Sequence, residues 1–187
     1  SASDEASVAI GYKANASGCV SLAIGRFTRA EGINALALVE NANASGQGAI
    51  AIGNGANAKG HYSTALVAGS YASGNYSIAQ GYMANASSHD SIAIGNASTA
   101  SNTSSIAIGN YTTASGYLSM AQGFQANASG QSSIAQGFQA RATGGYSIAQ
   151  GGSANATGSD SIAQGRYATA TNTSAIAIGQ QAYATGP

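Results

Sequence analysis

Small and aliphatic residues recur along this chain with a period of fourteen residues, without insertion, from Ser7 to Pro187. Each of the thirteen repeats follows the pattern Ser-Ile-Ala-(Ile/Gln)-Gly-x-x-Ala-x-Ala-x-Gly-x-x. We number the positions of each repeat from one to fourteen, starting at Ser7 and its equivalents. Because one short repeat cannot bury its own apolar face, this pattern is typical of a solenoid, in which each repeat is one coil stacked on its neighbours.

The smallest side chains occupy the same positions in every repeat. Positions three and ten are Ala in all thirteen repeats, position one is Ser or Ala, and position eight is Ala, Ser or Thr. Side chains alternate between the two faces of a strand, so positions one, three and five share a face, as do eight and ten. We therefore predict two strands per coil that face each other across a thin interior of Ala, Ser and Gly.

A turn is predicted at position twelve, which is Gly in ten repeats and Asn at Asn102 and Asn172. Gly and Asn are the residues that most readily accept a left-handed backbone. The pattern therefore predicts a left-handed residue at this position.

Aliphatic residues occupy the opposite face of the first strand. Positions two and four together hold twenty aliphatic or Met side chains. Full burial of one such side chain is worth roughly 1.5 to 3 kcal/mol, against an association cost of roughly 4 to 15 kcal/mol. We expect this stripe to drive a closed cyclic oligomer, and the residues alone do not choose between two and three subunits. The predicted interface residues are Ile50, Ile78, Ile92, Ile94, Ile106, Ile108, Ile134, Ile148, Ile162 and Ile176.

The reverse orientation would place the aliphatic stripe inside a monomeric solenoid. Positions seven, nine and eleven would then form the opposing wall, with Lys13, Arg29 and Arg141 among them. Charged side chains need solvent or a partner, so the orientation with Ala inside is favoured.

Glutamine replaces the aliphatic residue at position four in five repeats, and we predict that these residues form an axial polar layer. A lone buried amide would lack a hydrogen-bond partner, which costs about 1 to 3 kcal/mol of stability. Amides around a symmetry axis can instead bond one another or trapped water. One hypothesis is that the rings hold an ion; the favoured one is a hydrated layer that fixes axial register. The residues are Gln80, Gln122, Gln136, Gln150 and Gln164.

Composition and motifs exclude several functions. Six basic and six acidic residues give no basic surface for nucleic acid or anionic membrane. There is no apolar run of the roughly 18 residues that a membrane helix needs and no signal peptide, so we expect a fragment that does not itself insert into a membrane.

His61 and His89 both occupy position thirteen, about 10 Å apart on a stacking estimate. We therefore expect no enzyme activity, no metal and no cofactor.

Aromatic and basic residues at positions seven and nine are expected to face outward and to form a candidate ligand surface. Tyr and Arg are enriched at binding hot spots. The aromatic residues at positions six and fourteen are instead predicted to form the rim of the subunit interface. The candidate ligand residues are Lys13, Phe27, Arg29, Tyr71, Tyr111, Arg141, Tyr167 and Tyr183.

Two segments carry a family resemblance: Ser91-Ile-Ala-Ile-Gly95 with Ala100, and Ser105-Ile-Ala-Ile-Gly109 with Ala114 and Gly116. They resemble the repeat of the YadA-like head domain of trimeric autotransporter adhesins, and the resemblance covers residues 7–187. It implies an all-β, left-handed parallel β-roll of thirteen 14-residue coils. The homotrimer that it also implies would be displayed on the bacterial outer membrane and bind a host matrix protein, cell-surface receptor or glycan. Residues 1–6 would be a lead-in and residues 7–187 one head domain.

Two other functions remain open at this point. Repeated Ser-Ile-Ala-Gln-Gly is also similar to solenoid segments of phage tail fibres, which would place the chain in a virion as a receptor-binding or spacer segment. The Asn/Thr and Ser/Thr columns at positions nine and eleven suggest an ice-binding solenoid, although Arg29, Arg141, Tyr71 and Tyr183 interrupt them.

Overall fold

The chain forms a parallel β-solenoid of thirteen coils, as its fourteen-residue period predicts. The computed structural model describes residues 1–186. Each coil has a three-residue strand at positions two to four and a two-residue strand at positions nine and ten. Tight turns join them, and none of the described residues forms a helix that could cross a membrane.

Two compact units divide the chain, the first being Ser1–Ile94 and the second starting at Gly95. The strands of the first unit are β1 (Val8–Ile10), β2 (Asn15–Ala16), β3 (Leu22–Ile24), β4 (Arg29–Ala30), β5 (Leu36–Leu38), β6 (Asn43–Ala44), β7 (Ile50–Ile52), β8 (Asn57–Ala58), β9 (Thr64–Leu66), β10 (Tyr71–Ala72), β11 (Ile78–Gln80), β12 (Asn85–Ala86) and β13 (Ile92–Ile94). Those of the second unit are β14 (Thr99–Ala100), β15 (Ile106–Ile108), β16 (Thr113–Ala114), β17 (Met120–Gln122), β18 (Asn127–Ala128), β19 (Ile134–Gln136), β20 (Arg141–Ala142), β21 (Ile148–Gln150), β22 (Asn155–Ala156), β23 (Ile162–Gln164), β24 (Thr169–Ala170), β25 (Ile176–Ile178) and β26 (Tyr183–Ala184).

Within each unit the three-residue strands form one sheet, called sheet one, and the two-residue strands form another, called sheet two. Neighbouring strands are parallel and pair residues fourteen apart, as Ala79 with Ala93 and Ala135 with Ala149. Every side chain therefore lies beside its equivalent in the next coil.

The interior between the two sheets is as thin as predicted. The Ala residues at positions three and ten are fully buried through most of the chain, and Ala79 and Ala142 are each 0% exposed. The largest fully buried side chains are Thr28 and Thr112 at position eight. The predicted strand orientation is confirmed, because the sheets approach so closely that only Ala, Ser, Thr and Gly fit between them.

Most turns are closed by a hydrogen bond between residues three apart. The amide of Ala56 donates to the carbonyl of Gly53 at 3.1 Å in one turn, and that of Ser63 donates to Gly60 at 3.3 Å in the other. The buried hydroxyl of Ser63 also donates to the Gly60 carbonyl, at 2.7 Å. Ser63 at position one thus satisfies its own hydroxyl while it closes the second turn, whereas the buried hydroxyls of Ser21, Ser119 and Ser133 at the same position have no hydrogen-bond partner.

The turn at position twelve exists, but its predicted left-handed backbone was wrong. Positive φ angles fall at positions five, seven and fourteen, as in Tyr167 (59°) and Tyr62 (55°), and not at the glycines of position twelve. A Cβ on Gly60 would lie 2.0 Å from the carbonyl oxygen of Gly74 in the next coil. At Gly60 the constraint is the close approach of the next coil and not conformational freedom, and Ser88, Asn102 and Asn172 take the same position in the three repeats that lack the glycine.

Candidate functional site

The aliphatic side chains of positions two and four lie on the outer face of sheet one. Ile10 is 56% exposed, Ile134 37% and Ile178 64%. Of the ten predicted interface residues, Ile108, Ile134 and Ile176 are exposed and the other seven are half-buried, as Ile92 and Ile162 are. The structure therefore places the stripe on the surface, and its burial in an interface remains a prediction.

Position five was predicted to face inward, but the two valines at this position in the first unit are exposed. Val39 and Val67 replace glycine at position five, with φ angles of 81° and 85°, and each is 48% exposed. A β-branched residue with positive φ is strained, by roughly 1 to 3 kcal/mol. The chain thus tolerates strain at two turn positions, each directly after a strand of sheet one, that expose further apolar surface.

Four of the five predicted axial glutamines form a ladder along the second unit. Their amides are hydrogen-bonded from coil to coil: Gln136 Nε2 donates to Gln122 Oε1 at 3.0 Å, Gln150 to Gln136 at 2.8 Å and Gln164 to Gln150 at 3.1 Å. Each amide in the ladder keeps a second N–H and a second oxygen lone pair for another partner. The bonds run within one chain along the stack of coils, whereas the predicted layer would bond across a symmetry axis.

Gln80 is not in this ladder. In the first unit it pairs in register with Leu66 on one side and Ile94 on the other. Because its neighbours carry no amide, Gln80 is an isolated polar group in an aliphatic stripe.

The candidate ligand residues at position seven lie on the turns that follow sheet one, where Phe27, Tyr111 and Tyr167 are 36%, 54% and 46% exposed. Lys13 Nζ lies 5.4 Å from the Tyr12 ring centroid and 5.6 Å from that of Phe27. The structure therefore brings Lys13 and Phe27 together in one aromatic and basic cluster.

Two further cations belong to these turns and were missed in the sequence. Arg26 lies 5.3 Å from the Phe27 ring and forms an ion pair with Glu40, and Arg166 lies 4.9 Å from the Tyr167 ring. Their position next to an aromatic residue in the same turn was the available signal.

The remaining candidate ligand residues lie on the outer face of sheet two. Arg29, Arg141 and Tyr183 are exposed, and Tyr71 is half-buried with Lys59 Nζ 5.1 Å from its ring. Lys59 was also missed, since it is twelve residues away in sequence and reaches Tyr71 only because the coils stack. Arg29 lies in the first unit and Arg141 in the second.

A family model for the YadA head domain repeat matches most of the chain. The matches cover residues 2–18, 44–66, 72–98, 86–112, 114–140, 128–154, 142–168 and 170–187. This chain belongs to the YadA head family.

This YadA-type head also matches a solved structure. The crystal structure of the collagen-binding domain of the Yersinia adhesin YadA matches with 23% identity and a TM-score of 0.40, over 92% of this chain and 80% of that one. Because this TM-score is below 0.5, the likeness supports no statement on ligand or assembly. A search of curated protein sequences found no match.

Membership in this family points to a non-enzymatic role. Among residues 1–186, there is no group of three or more His, Cys, Asp or Glu side chains that could hold a metal ion. His89 lies in a surface cluster, with Nδ1 2.6 Å from Asp90 Oδ2 and its ring 5.5 Å from that of Tyr76.

Proposed function

We propose that this chain is the head of a trimeric bacterial surface adhesin, in which sheet one packs around a common axis and the outward surfaces bind host matrix or cell-surface ligands. The exposed aliphatic stripe on sheet one carries the proposal. Monomeric proteins rarely expose a contiguous apolar surface of this length. Membership of the YadA head family supports both the assembly and the location on the bacterial surface.

The oligomer is tested by light scattering after size exclusion. We expect a mass three times that of the 18.1 kDa chain. Ile134→Asp, in the stripe, should dissociate the trimer, because three carboxylates would be brought together in an apolar interface. Thr169→Asp, on the outer face of sheet two, is the matched control and should leave the mass unchanged. A folded wild-type monomer at micromolar concentration would contradict the proposal.

Ligand binding is tested by screening matrix proteins and glycans against the immobilised head. The Lys13→Ala, Phe27→Ala, Arg29→Ala triple variant should lose binding if the first unit carries the ligand surface. A Tyr111→Ala, Arg141→Ala, Tyr167→Ala variant tests the second unit in the same way. Unchanged binding by both variants would place the ligand elsewhere on the head.

A further inference from the structure

Two turns border each strand of sheet one. In the second unit, the side chains of these two turns are related in size or charge for several strands. The residue two before the strand (position fourteen) and the residue two after it (position six) form a flanking pair. The four central pairs are Leu118 and Phe124 around β17, Ser132 and Phe138 around β19, Tyr146 and Gly152 around β21, and Asp160 and Arg166 around β23; small or uncharged polar residues flank β15 and β25.

Size or charge is complementary in three of these four pairs, whereas Leu118 and Phe124 are both large and apolar. Phe138, which is 55% exposed, is paired with the small Ser132, and Tyr146, which is 57% exposed, is paired with a glycine. A Cβ on Gly152 would have only Arg166 Cγ within 4 Å, at 3.9 Å, so the surface there is open. Asp160 and Arg166 carry opposite charges and are both exposed.

These charges have no ion-pair partner within one chain. Among residues 1–186 the ion pairs are Arg26 with Glu40 and His89 with Asp90. The Arg166 guanidinium instead contacts Tyr167, its own neighbour in sequence. Strand β23 separates the members of the pair: the four residue steps from Ser161 to Gly165 span about 13 Å at 3.3 Å per step. Asp160 and Arg166 of the same chain therefore do not meet.

A second copy of the chain can join them. When copies are related by a rotation axis parallel to the stacking direction of the coils, each residue keeps its height along that axis. With sheet one facing the axis, the turn before a strand in one copy lies next to the turn after the same strand in the next copy. Residues that flank one strand are then neighbours across the subunit boundary.

We propose that these two turns form the lateral interface between copies of this chain, with Asp160 of one copy paired to Arg166 of the next and Tyr146 seated over Gly152. This inference rests on the proposed oligomeric head and specifies its contacts. It assigns the partner of the flanking turns as a second copy in parallel register. Opposite charges at one height and a large side chain opposite a glycine at another both disfavour a shift by one coil.

Cysteine cross-linking tests the pairing directly. The full chain would carry Asp160→Cys and Arg166→Cys in a Cys19→Ser background, which removes its native cysteine. A disulfide spans at most about 7 Å between Cα atoms, so the two cysteines cannot bridge within one chain. After mild oxidation we expect a covalent trimer on a non-reducing gel. Ser132→Cys with Arg166→Cys, two coils or about 10 Å apart along the axis, is the control and should not cross-link.

The outcomes separate this inference from the proposed function. A trimer by light scattering without the cross-link, or with equal cross-linking in the control, would overturn the pairing and leave the trimeric head intact. A monomer would overturn the trimeric head, and the pairing with it.

Charge reversal provides a second measurement that does not depend on disulfide geometry. Asp160→Lys and Arg166→Glu should each lower the melting temperature of the assembly, and the double variant should recover most of the loss. Asp160→Lys with Arg141→Glu is the matched control, because Arg141 lies on sheet two, and it should not recover. Additive losses in the Asp160, Arg166 double variant would overturn the ion pair.

Discussion

The two units have the same kind of Ala interior and differ on the outer face of sheet one. In the first unit position four is aliphatic from Ile10 to Leu66, and Val39 and Val67 add further apolar surface. In the second unit the same column contains the amide ladder from Gln122 to Gln164. The difference shows that the Ala interior specifies the coil, while the outer face can change chemistry without altering the fold.

The outer faces are also stabilised in different ways. An aliphatic column gains free energy only when something covers it, at about 25 cal/mol per Å² of buried apolar surface. An amide ladder is already hydrogen-bonded within its own chain, each bond contributing about 0.5 to 1.5 kcal/mol net. We therefore expect the first unit to depend more on the proposed oligomer than the second unit does.

Enlarging the interior should have the largest effect and should affect both units alike. Ala93→Leu in the first unit and Ala100→Leu in the second each place three extra carbons where the present side chain is 0% exposed. Overpacking costs about 1 to 3 kcal/mol or more even in roomier cores, so we expect the coils not to stack. Thr99→Leu, which is half-buried on the outer face of sheet two, should be mild. Circular dichroism melts measure this, and equal responses at the three sites would contradict a common Ala interior.

A single methyl group at position twelve should have the next largest effect. A Cβ on Gly144 would lie 2.0 Å from the carbonyl oxygen of Gly158, whereas one on the adjacent Gly145 would meet nothing within 4 Å. Gly144→Ala should therefore lower the free energy of unfolding by about 1 to 3 kcal/mol or more. Gly145→Ala should be neutral or stabilising by up to about 1 kcal/mol, since it restricts the unfolded chain. Gly60→Ala in the first unit should behave like Gly144→Ala, and denaturant melts would show any difference between the units.

Giving the second unit an aliphatic column like that of the first unit should have a moderate effect on stability. Changing Gln122, Gln136, Gln150 and Gln164 to Ile replaces three amide hydrogen bonds by apolar surface that the oligomer can bury. At about 1 kcal/mol or more gained per side chain and about 1 kcal/mol lost per hydrogen bond, we expect the trimer to persist and to be about 1 to 3 kcal/mol more stable. Melting temperature and oligomer mass are the measurements. A large loss of stability would mean that the amides make specific bonds across the axis or hold an ion.

The surface ion pair of the first unit should have the smallest effect. Arg26 and Glu40 are 59% and 32% exposed in their side chains, and exposed pairs contribute about 0 to 1 kcal/mol. Glu40→Gln should therefore lower the free energy of unfolding by less than about 1 kcal/mol at low salt and by nothing measurable at 1 M salt. Arg141→Gln in the second unit, which removes an exposed cation from sheet two, should show no salt dependence. A salt-independent loss in Glu40→Gln would mean that the side chain packs rather than pairs.

Much of the fold and the location of the site followed from the sequence by itself. The fourteen-residue period determined the coil, and the two-residue alternation within each strand placed Ala79 and Ala142 inside and Ile92 and Ile162 outside. Both features are local, because the direction of a side chain along a strand depends only on its position in that strand. The aliphatic stripe follows from the same alternation, and the family resemblance follows from the repeated motif.

Contacts between coils were decided only by the tertiary structure. Whether the amide of Gln136 points along the stack to Gln122, or Lys59 reaches Tyr71, depends on register and rotamers that no single repeat contains. The role of Gly60 is of the same kind: its φ is ordinary, and glycine is required because the Gly74 carbonyl oxygen of the next coil occupies the space a Cβ would need. Composition shows which residues can turn a chain, and only the stacked coils show which of them have no room for a side chain.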